Sequence, residues 1–382
     1  TLSASDLNQN INYFDGLGRL VQKVQTKGSP NQKDIVVPNE YDEYGRVIKK
    51  HLSYVDVSAN GTYKVNALTA NQGVSLFYKT LNQKIDTTTF PYVETTYESS
   101  PLNRSLEVGA QGKTWRVIKN SNGKSTFNGN TVKSDFGING SSEVRLWNVT
   151  TNGANSSGYY GTGQLYKTIS KDENWSSSDA QNRLIKEFKD KEGRVILKKQ
   201  LYRTPSNTLD SLSTYYVYDD IGNLRYVIPQ AVSATTFTEA DQIFKDLIYA
   251  YKYDGRHRVI KKKIPGAGWT FLVYNKLNQV VLTQDSLQRA KSTKECAFTK
   301  YDALGRVVLT GVYTGNEILD TAQNRVNRYS SWEDKGTFHG YTTKAYPLTA
   351  MNVLIANYYV DYTFPGAEAT GFNYVTDTLN TK

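Results

Sequence analysis

The sequence predicts an all-β protein of antiparallel hairpins joined into a repeat body, with one or two short inserted helices. Two features of composition and one of order carry that prediction. Tyr, a strand former, is heavily used: 29 Tyr stand against a single Met, Met351, in 382 residues. Gly, Asn, Asp and Ser recur at short intervals, as a chain with many turns requires. One phrase, aromatic–Asp–x–x–Gly–Arg–aliphatic, comes back along the chain.

The phrase is clearest as FDGLGRLV (14–21), YDEYGRVI (41–48) and YDALGRVV (301–308). Eroded copies keep the frame. KDKEGRVI (189–196) has its aromatic one place early, at Phe188. YDDIGNLR (218–225) carries Asn223 in place of Arg. YDGRHRVI (253–260) carries His257 in place of Gly, and YNKLNQVV (274–281) carries Asn278 there. YESSPLNRSL (97–106) is a stretched relative. From Tyr218 the tyrosines recur at intervals of 35, 21 and 27 residues, to Tyr253, Tyr274 and Tyr301. That spacing is two strands plus turns, with insertions.

The phrase is turn chemistry. Asp15, Asp42, Asp190, Asp219, Asp254 and Asp302 stand first, where a carboxylate accepts N–H groups two residues on. Gly18, Gly45, Gly193, Gly222 and Gly305 supply a positive φ that closes the hairpin through a bulge. Asn278 is the non-glycine residue best suited to that place, and His is also enriched at positive φ. Arg19, Arg46, Arg194 and Arg306 follow, and read as ties between neighbouring turns through carboxylates and carbonyls. Flanking residues alternate as strands do: Leu247, Tyr249, Tyr251 and Tyr253 share one face, and Ile248, Ala250 and Lys252 the other. Such Tyr-rich faces are expected to pack ring on ring.

In order along the chain, residues 1–110 read as a repeat region and 111–187 as a β-rich irregular segment. Residues 188–315 read as a second repeat region, and 316–382 as further, incomplete β-repeats. Residues 50–96 and 110–187 depart from the period, and 137–163 read as hairpins with long loops. The best helix candidate is 238–248, with Thr238 as cap and Ile243, Phe244 and Leu247 on one side. Another helical turn is expected within 176–188. The chain lacks an initiator Met and a signal-peptide pattern, so it reads as a piece of a longer protein.

Known chemical motifs find little footing. His51, His257 and His339 lie far apart, with no Cys or Glu at metal-ligand spacing. Cys296 is the only cysteine, which excludes an intrachain disulfide, and it has no nucleophile signature. The fragments GKT (112–114) and GKS (123–125) end like phosphate loops, but Glu107 and Ile118 stand where the leading glycine belongs. The numerous carboxylates single out no glycosidase pair. No metal or cofactor is implied. The net charge of +10 is spread out, its densest run being Lys261-Lys262-Lys263, and reads as a solvated basic surface rather than a nucleic-acid site. No apolar run is long enough to span a membrane. The five Trp, at 115, 147, 175, 269 and 332, read as core packing, with a glycan-binding face as the alternative.

Taken in order, these phrases resemble the YD repeats of the Rhs family. In particular they are similar to the N-terminal region of Rhs-repeat proteins from Bacteroidota. The resemblance runs through YFDGLGRLVQKV (13–24), SPLNRSLEVGAQGKTW (100–115), SSEVRLW (141–147), GQLYKTISKDENW (163–175), YYVYDDIGNLRYVIP (215–229), LIYAYKYDGRHRVIKKKIPG (247–266) and TKYDALGRVVLTG (299–311). It covers nearly the whole chain.

The resemblance implies a ribbon of antiparallel strands that spirals into a hollow β-shell. It implies a non-enzymatic structural part of a secreted or cell-surface, polymorphic-toxin-like protein. The implied partners are the protein's own downstream Rhs core and C-terminal effector domain, and the translocon of the type 9 secretion pathway. The family's self-cleavage segment contains an Asp-Pro dipeptide. This chain has none, so no protease activity carries over. The alternative reading is a cell-surface adhesin or glycan-binding module.

Overall fold

A computed structural model describes residues 8–80, 87–315 and 319–359. The chain divides into two compact units, residues 1–140 with 162–212 and residues 141–161 with 213–382. The fold is all-β and antiparallel, as the repeats predict.

In the first unit the strands are β1 (Gln9–Phe14), β2 (Leu20–Thr26), β3 (Ile35–Tyr41), β4 (Val47–His51), β5 (Tyr54–Val55), β6 (Tyr92–Tyr97), β7 (Ser105–Gly109) and β8 (Val132–Ile138). The next two, β9 (Arg145–Thr150) and β10 (Gly153–Tyr159), belong to the second unit. The first unit resumes with β11 (Tyr166–Lys171), β12 (Leu184–Lys189) and β13 (Val195–Arg203). Its strands pair in a meander, β1–β2–β3–β4–β6–β7–β8–β11–β12–β13, with β5 beside the start of β3. Strands that pair with their predecessors need only short turns, which is what a repeat of two strands and a turn supplies.

A helix, α1 (Gly73–Lys79), covers part of this sheet. Val74 and Tyr78, four residues apart, share one face and pack with Val24, Val36, Tyr54 and Ala67. Val24 and Val36 are wholly buried, each contributing roughly 1.5–3 kcal/mol relative to an exposed side chain. The loop before the helix is held by Asp34, which is fully buried. It accepts from the Lys64 ammonium at 2.7 Å and the Lys27 and Gly61 N–H groups.

The second unit takes up β14 (Leu209–Tyr218) from Ser213 onward and continues with β15 (Leu224–Ile228), β16 (Thr236–Thr238), β17 (Tyr249–Tyr253), β18 (Val259–Ile264), β19 (Gly268–Tyr274), β20 (Val280–Gln284), β21 (Glu295–Tyr301), β22 (Val307–Thr314), β23 (Lys335–Phe338) and β24 (Met351–Ala356). The ladder runs β14–β15–β17–β18–β19–β20–β21–β22–β24. A small second sheet joins β9, β10 and β16. Helices α2 (Gln242–Leu247), α3 (Ser286–Ala290) and α4 (Leu319–Val326) are inserted between strands.

Two cores form here. In one, Tyr226, Phe237 and Phe244 pack with Val217, Ile228, Ile248 and Ala250. In the other, Cys296 and Phe298 pack with Leu282, Leu309, and Ala322 and Val326 of α4. Strand β21 shows why: its alternate residues Cys296, Phe298 and Lys300 point inward. Lys300 is tolerated there because Glu333, equally buried, accepts from its ammonium at 2.6 Å and the Ala345 carbonyl accepts at 2.9 Å. On β17 the buried face is that of Ile248 and Ala250, and the Tyr face is the more exposed one.

Two expectations need correction. Thr238 does not cap a helix. Residues 236–238 form β16, because Phe237 pairs with Ala154 of the β10 edge, and this long-range pairing overrides the local cap signal. The helix starts behind Asp241, whose carboxylate accepts from the Thr238 N–H at 2.7 Å. The helical turn expected within 176–188 is present as a 3-10 turn, Ser177–Asp179, and β12 follows from Leu184. The described residues hold four α-helices rather than one or two. One of them, α3, is announced by an Asp-x-x-Gln capping box in which Asp285 accepts from the Gln288 N–H at 2.7 Å.

Candidate functional site: a row of repeated turns

The repeated phrase makes one structure each time. At Asp302 the N–H donates to the Arg306 carbonyl at 2.9 Å, and the Gly305 N–H donates back to the Asp302 carbonyl at 3.0 Å. One carboxylate oxygen, Oδ1, accepts from the N–H groups of Leu304 (3.0 Å) and Arg306 (2.9 Å). The other, Oδ2, accepts from Arg306 Nε at 2.7 Å. Gly305 sits at φ +80°, and the pairing shifts register as Tyr301 meets Val307. Asp thus satisfies the open end of the hairpin, and Gly takes the left-handed place that a Cβ would strain.

The same bonds recur at Asp15, Asp42, Asp190 and Asp254, each with its Arg four residues on. Gly18, Gly45, Gly193 and Gly222 lie at φ +75°, +79°, +82° and +87°, and His257 and Asn278 fill the place at +60° and +63°. At Asp219 the partner is Asn223, whose Nδ2 donates at 3.2 Å. Around Asn278 the ion pair becomes an amide pair, Asn275 Nδ2 donating to Gln279 Oε1 at 2.7 Å. In the stretched copy Arg104 holds Glu98 through both carboxylate oxygens.

Electrostatics follow from these bonds. Burial alone would raise the carboxyls of Asp42, Asp254 and Asp302. The bonds from the arginines' backbone N–H groups and guanidinium ions outweigh it and hold all three below the usual carboxylate range. The Arg104 guanidinium draws Glu98 down to about 2.

Consecutive turns within a unit are joined by Tyr. Six tyrosines each donate the hydroxyl to the carbonyl just past the preceding turn. Tyr41 reaches Leu20 (2.9 Å) and Tyr97 reaches Val47 (3.2 Å) in the first unit. Tyr253, Tyr274, Tyr301 and Tyr359 reach Leu224, Val259, Val280 and Val307 at 2.8–2.9 Å in the second. The preceding arginine lies over the same ring: Arg19 on Tyr41, Arg46 on Tyr97, Arg258 on Tyr274 and Arg306 on Tyr359, at 4.5–4.9 Å. So the arginines bond chiefly within their own turn and stack on the next. Bonds to neighbouring carbonyls and amides, such as Arg46 Nη1 to the Glu98 carbonyl at 3.0 Å, add to this. One ring-on-ring cluster forms where inserted elements meet the ladder, Phe237 and Phe244 packing with Tyr226 of β15 and Trp269 of β19.

Further turns of the same build escape the phrase. Ser29, Asn120 and Thr204 each offer a side-chain oxygen to the N–H four residues on. Their fourth residues, Gln32, Gly123 and Asn207, all have positive φ. Another such turn is split. Asn139 Oδ1 accepts from the Leu165 N–H at 2.8 Å, the Gly163 N–H donates to the Asn139 carbonyl at 3.1 Å, and the hairpin β9–β10 is inserted between. A polar residue followed three later by Gly, Asn or Gln was the available signal for the first three.

The other candidates have structural partners. His51 lies 2.6 Å from Glu40, His257 meets Asn223, and His339 meets Phe338 edge-on. Cys296 is fully buried. Trp147 and Trp269 pack on the core, and Trp115 and Trp332 are exposed. Among the described residues no group of three or more His, Cys, Asp or Glu could hold a metal ion, and no helix is long and apolar enough to cross a membrane.

Fold and turns together define a β-repeat protein with the Rhs-like fold. Comparison with known proteins agrees at that level. The family model described as "Domain of unknown function (DUF6443)" matches residues 1–129. No curated protein matches. The chain is similar to the solved structure of TcdB2-TccC3 without its hypervariable C-terminal region, at 16% identity and TM-score 0.51, over 81% of this chain and 13% of that one. The structure of TcdB2-TccC3-TEV aligns with the same identity and coverage, at TM-score 0.48. The chain thus spans a small fraction of the structures it resembles.

Proposed function

We propose that this chain is a structural, non-enzymatic wall segment of a large secreted Rhs-type protein. It forms part of a hollow β-shell that encases or displays a C-terminal effector. The observation that carries the reading is the inward use of the motif's chemistry. Where Asp, Arg and the following Tyr are all present they are spent on their own turn and the next, as Asp302, Arg306 and Tyr359 are although they line an open cleft, and this suits a wall. The similarity in fold to TcdB2-TccC3 supports it. Type 9 export and the downstream partners rest on the sequence resemblance.

The test is protease protection of the full-length protein. The C-terminal effector should resist digestion while these repeats are intact and be cut once the wall is opened by denaturant. Equal cleavage in both states would refute encasement. The exposed Trp115 and Trp332 favour a second reading, a glycan-binding surface. A glycan array probed with the chain and with a double Ala variant at these positions tests it. Binding lost in the variant supports it, and absence of binding removes it.

A further inference from the structure

The two faces of the second unit's ladder are used differently. One face carries the packing. Phe237 of β16 and Phe244 of α2 lie on it beside Tyr226 and Ala250, and Ala322 and Val326 of α4 lie on it beside Leu282 and Phe298. The opposite face is marked by one residue from each strand of β17 to β22: Tyr251, Lys262, Thr270, Thr283, Ala297 and Val312. Tyr251 pairs with Lys262 and Lys262 with Thr270, while Thr283 pairs with Ala297 and Ala297 with Val312. None of the six is buried. Their sequence neighbours Ala250, Lys263, Leu282 and Cys296, on the packed face, are at most 2% exposed. Among the described residues the start of α3 borders the bare face, where Asp285 and Gln288 share a hollow with Lys262, Thr270 and Thr283.

Water is a poor match for this surface. An antiparallel sheet that gives one face to solvent turns its polar residues outward. Here Lys262 is the one charged residue of the six, and Tyr249 and Leu272 add a ring and an aliphatic chain on the same side. Low charge with exposed Tyr is the composition of a surface that touches another polypeptide.

The inserts say which side is which. A helix with its side chains is about 10–12 Å across. On the inner side of a closed wall, α2, α4 and the β9–β10–β16 sheet would take that depth from whatever is enclosed. On the outer side they cost the interior nothing.

We propose that the bare face of the second unit is the inner face of the wall, and that its occupant is the C-terminal effector itself. The inference rests on the wall reading and adds to it the side of the sheet that the cargo meets. Contact is made through rings, hydroxyls and methyl groups rather than through a pattern of charge, so the face holds a folded chain without selecting its sequence.

Photo-cross-linking in the full-length protein tests it. Tyr249→p-benzoylphenylalanine and Tyr251→p-benzoylphenylalanine each exchange one partly exposed aromatic ring for another, which should leave the fold intact. Lys245 of α2 and Trp332, both exposed on inserted elements, are replaced in the same way as outward controls. After irradiation, mass spectrometry of the joined peptides should find effector peptides attached at 249 and 251 and none at 245 or 332. Effector peptides attached at 245 or 332 overturn the proposal. So does their absence from all four positions. In that last case the protease-protection experiment separates the two readings: an effector that is still protected keeps the wall and loses only this face, and an unprotected one removes both.

Discussion

Tyr274 donates its hydroxyl to the Val259 carbonyl at 2.8 Å while Arg258 lies 4.7 Å over the centre of its ring. One side chain thus reads the end of the preceding turn twice, once by hydrogen bond and once by charge. The relation fixes the spacing between repeats more tightly than backbone pairing alone.

Removing the hydroxyl should separate the two contributions. Tyr274→Phe keeps the ring beneath Arg258 and loses one hydrogen bond, so it should destabilise by about 1 kcal/mol. Tyr274→Leu loses the cation–π contact as well and should cost roughly a further 0.5–1 kcal/mol. Urea midpoints at unchanged slope measure both. Indistinguishable midpoints for Phe and Leu would deny the stacking a role.

The left-handed place in each turn should be the costly glycine. Gly193 lies at φ +82° with open space where a Cβ would project, so Gly193→Ala isolates the conformational term. It should destabilise by roughly 1–2 kcal/mol, and Gly193→Asn by less. Gly255 also has open space but no left-handed φ. Gly255→Ala should be neutral or slightly stabilising in the same melts.

The turn carboxylates should set acid stability. Their folded pKa values lie below the ordinary value for Asp42, Asp254 and Asp302. Their stabilisation is then fully present above the unfolded value near 4 and is lost as pH falls through the folded values. Changing all three to Asn keeps an acceptor for the backbone N–H groups, as Asn275 does naturally, but removes the ion pairs. The variant should be less stable by about 0.5–1 kcal/mol per site at pH 7, with the difference shrinking toward zero near pH 2. A difference independent of pH would contradict this assignment.

Glu333 should be among the most sensitive single positions in the second unit. It accepts from Lys300 and from the N–H groups of Lys344 and Ala345. Glu333→Gln strands a buried ammonium and should cost about 3–5 kcal/mol. Thermal melts of the variant and of Leu304→Ser give the contrast. Leu304 is an exposed turn tip, and its loss should stay within about 0.5 kcal/mol.

The local part of this structure was legible in the sequence. Asp302 and Gly305 announce their turn because every partner lies within five residues. The reach of Tyr301 to Val280 and the stacking of Arg306 on Tyr359 were not legible, since they join residues more than twenty positions apart. The split turn at Asn139 is invisible for the same reason: its closing Gly163 lies beyond an inserted hairpin. Thr238 misled because a cap residue and a short edge strand look alike until the β10 edge is known to lie beside it.

Electron microscopy of the full-length protein tests the central claim most directly. Its outcome turns on whether these repeats are wall. The account predicts a particle with a hollow interior, in which this segment forms part of a continuous β-wall and the turn tips follow one another along an edge. A solid particle, or one in which this segment projects as a free arm, would contradict it.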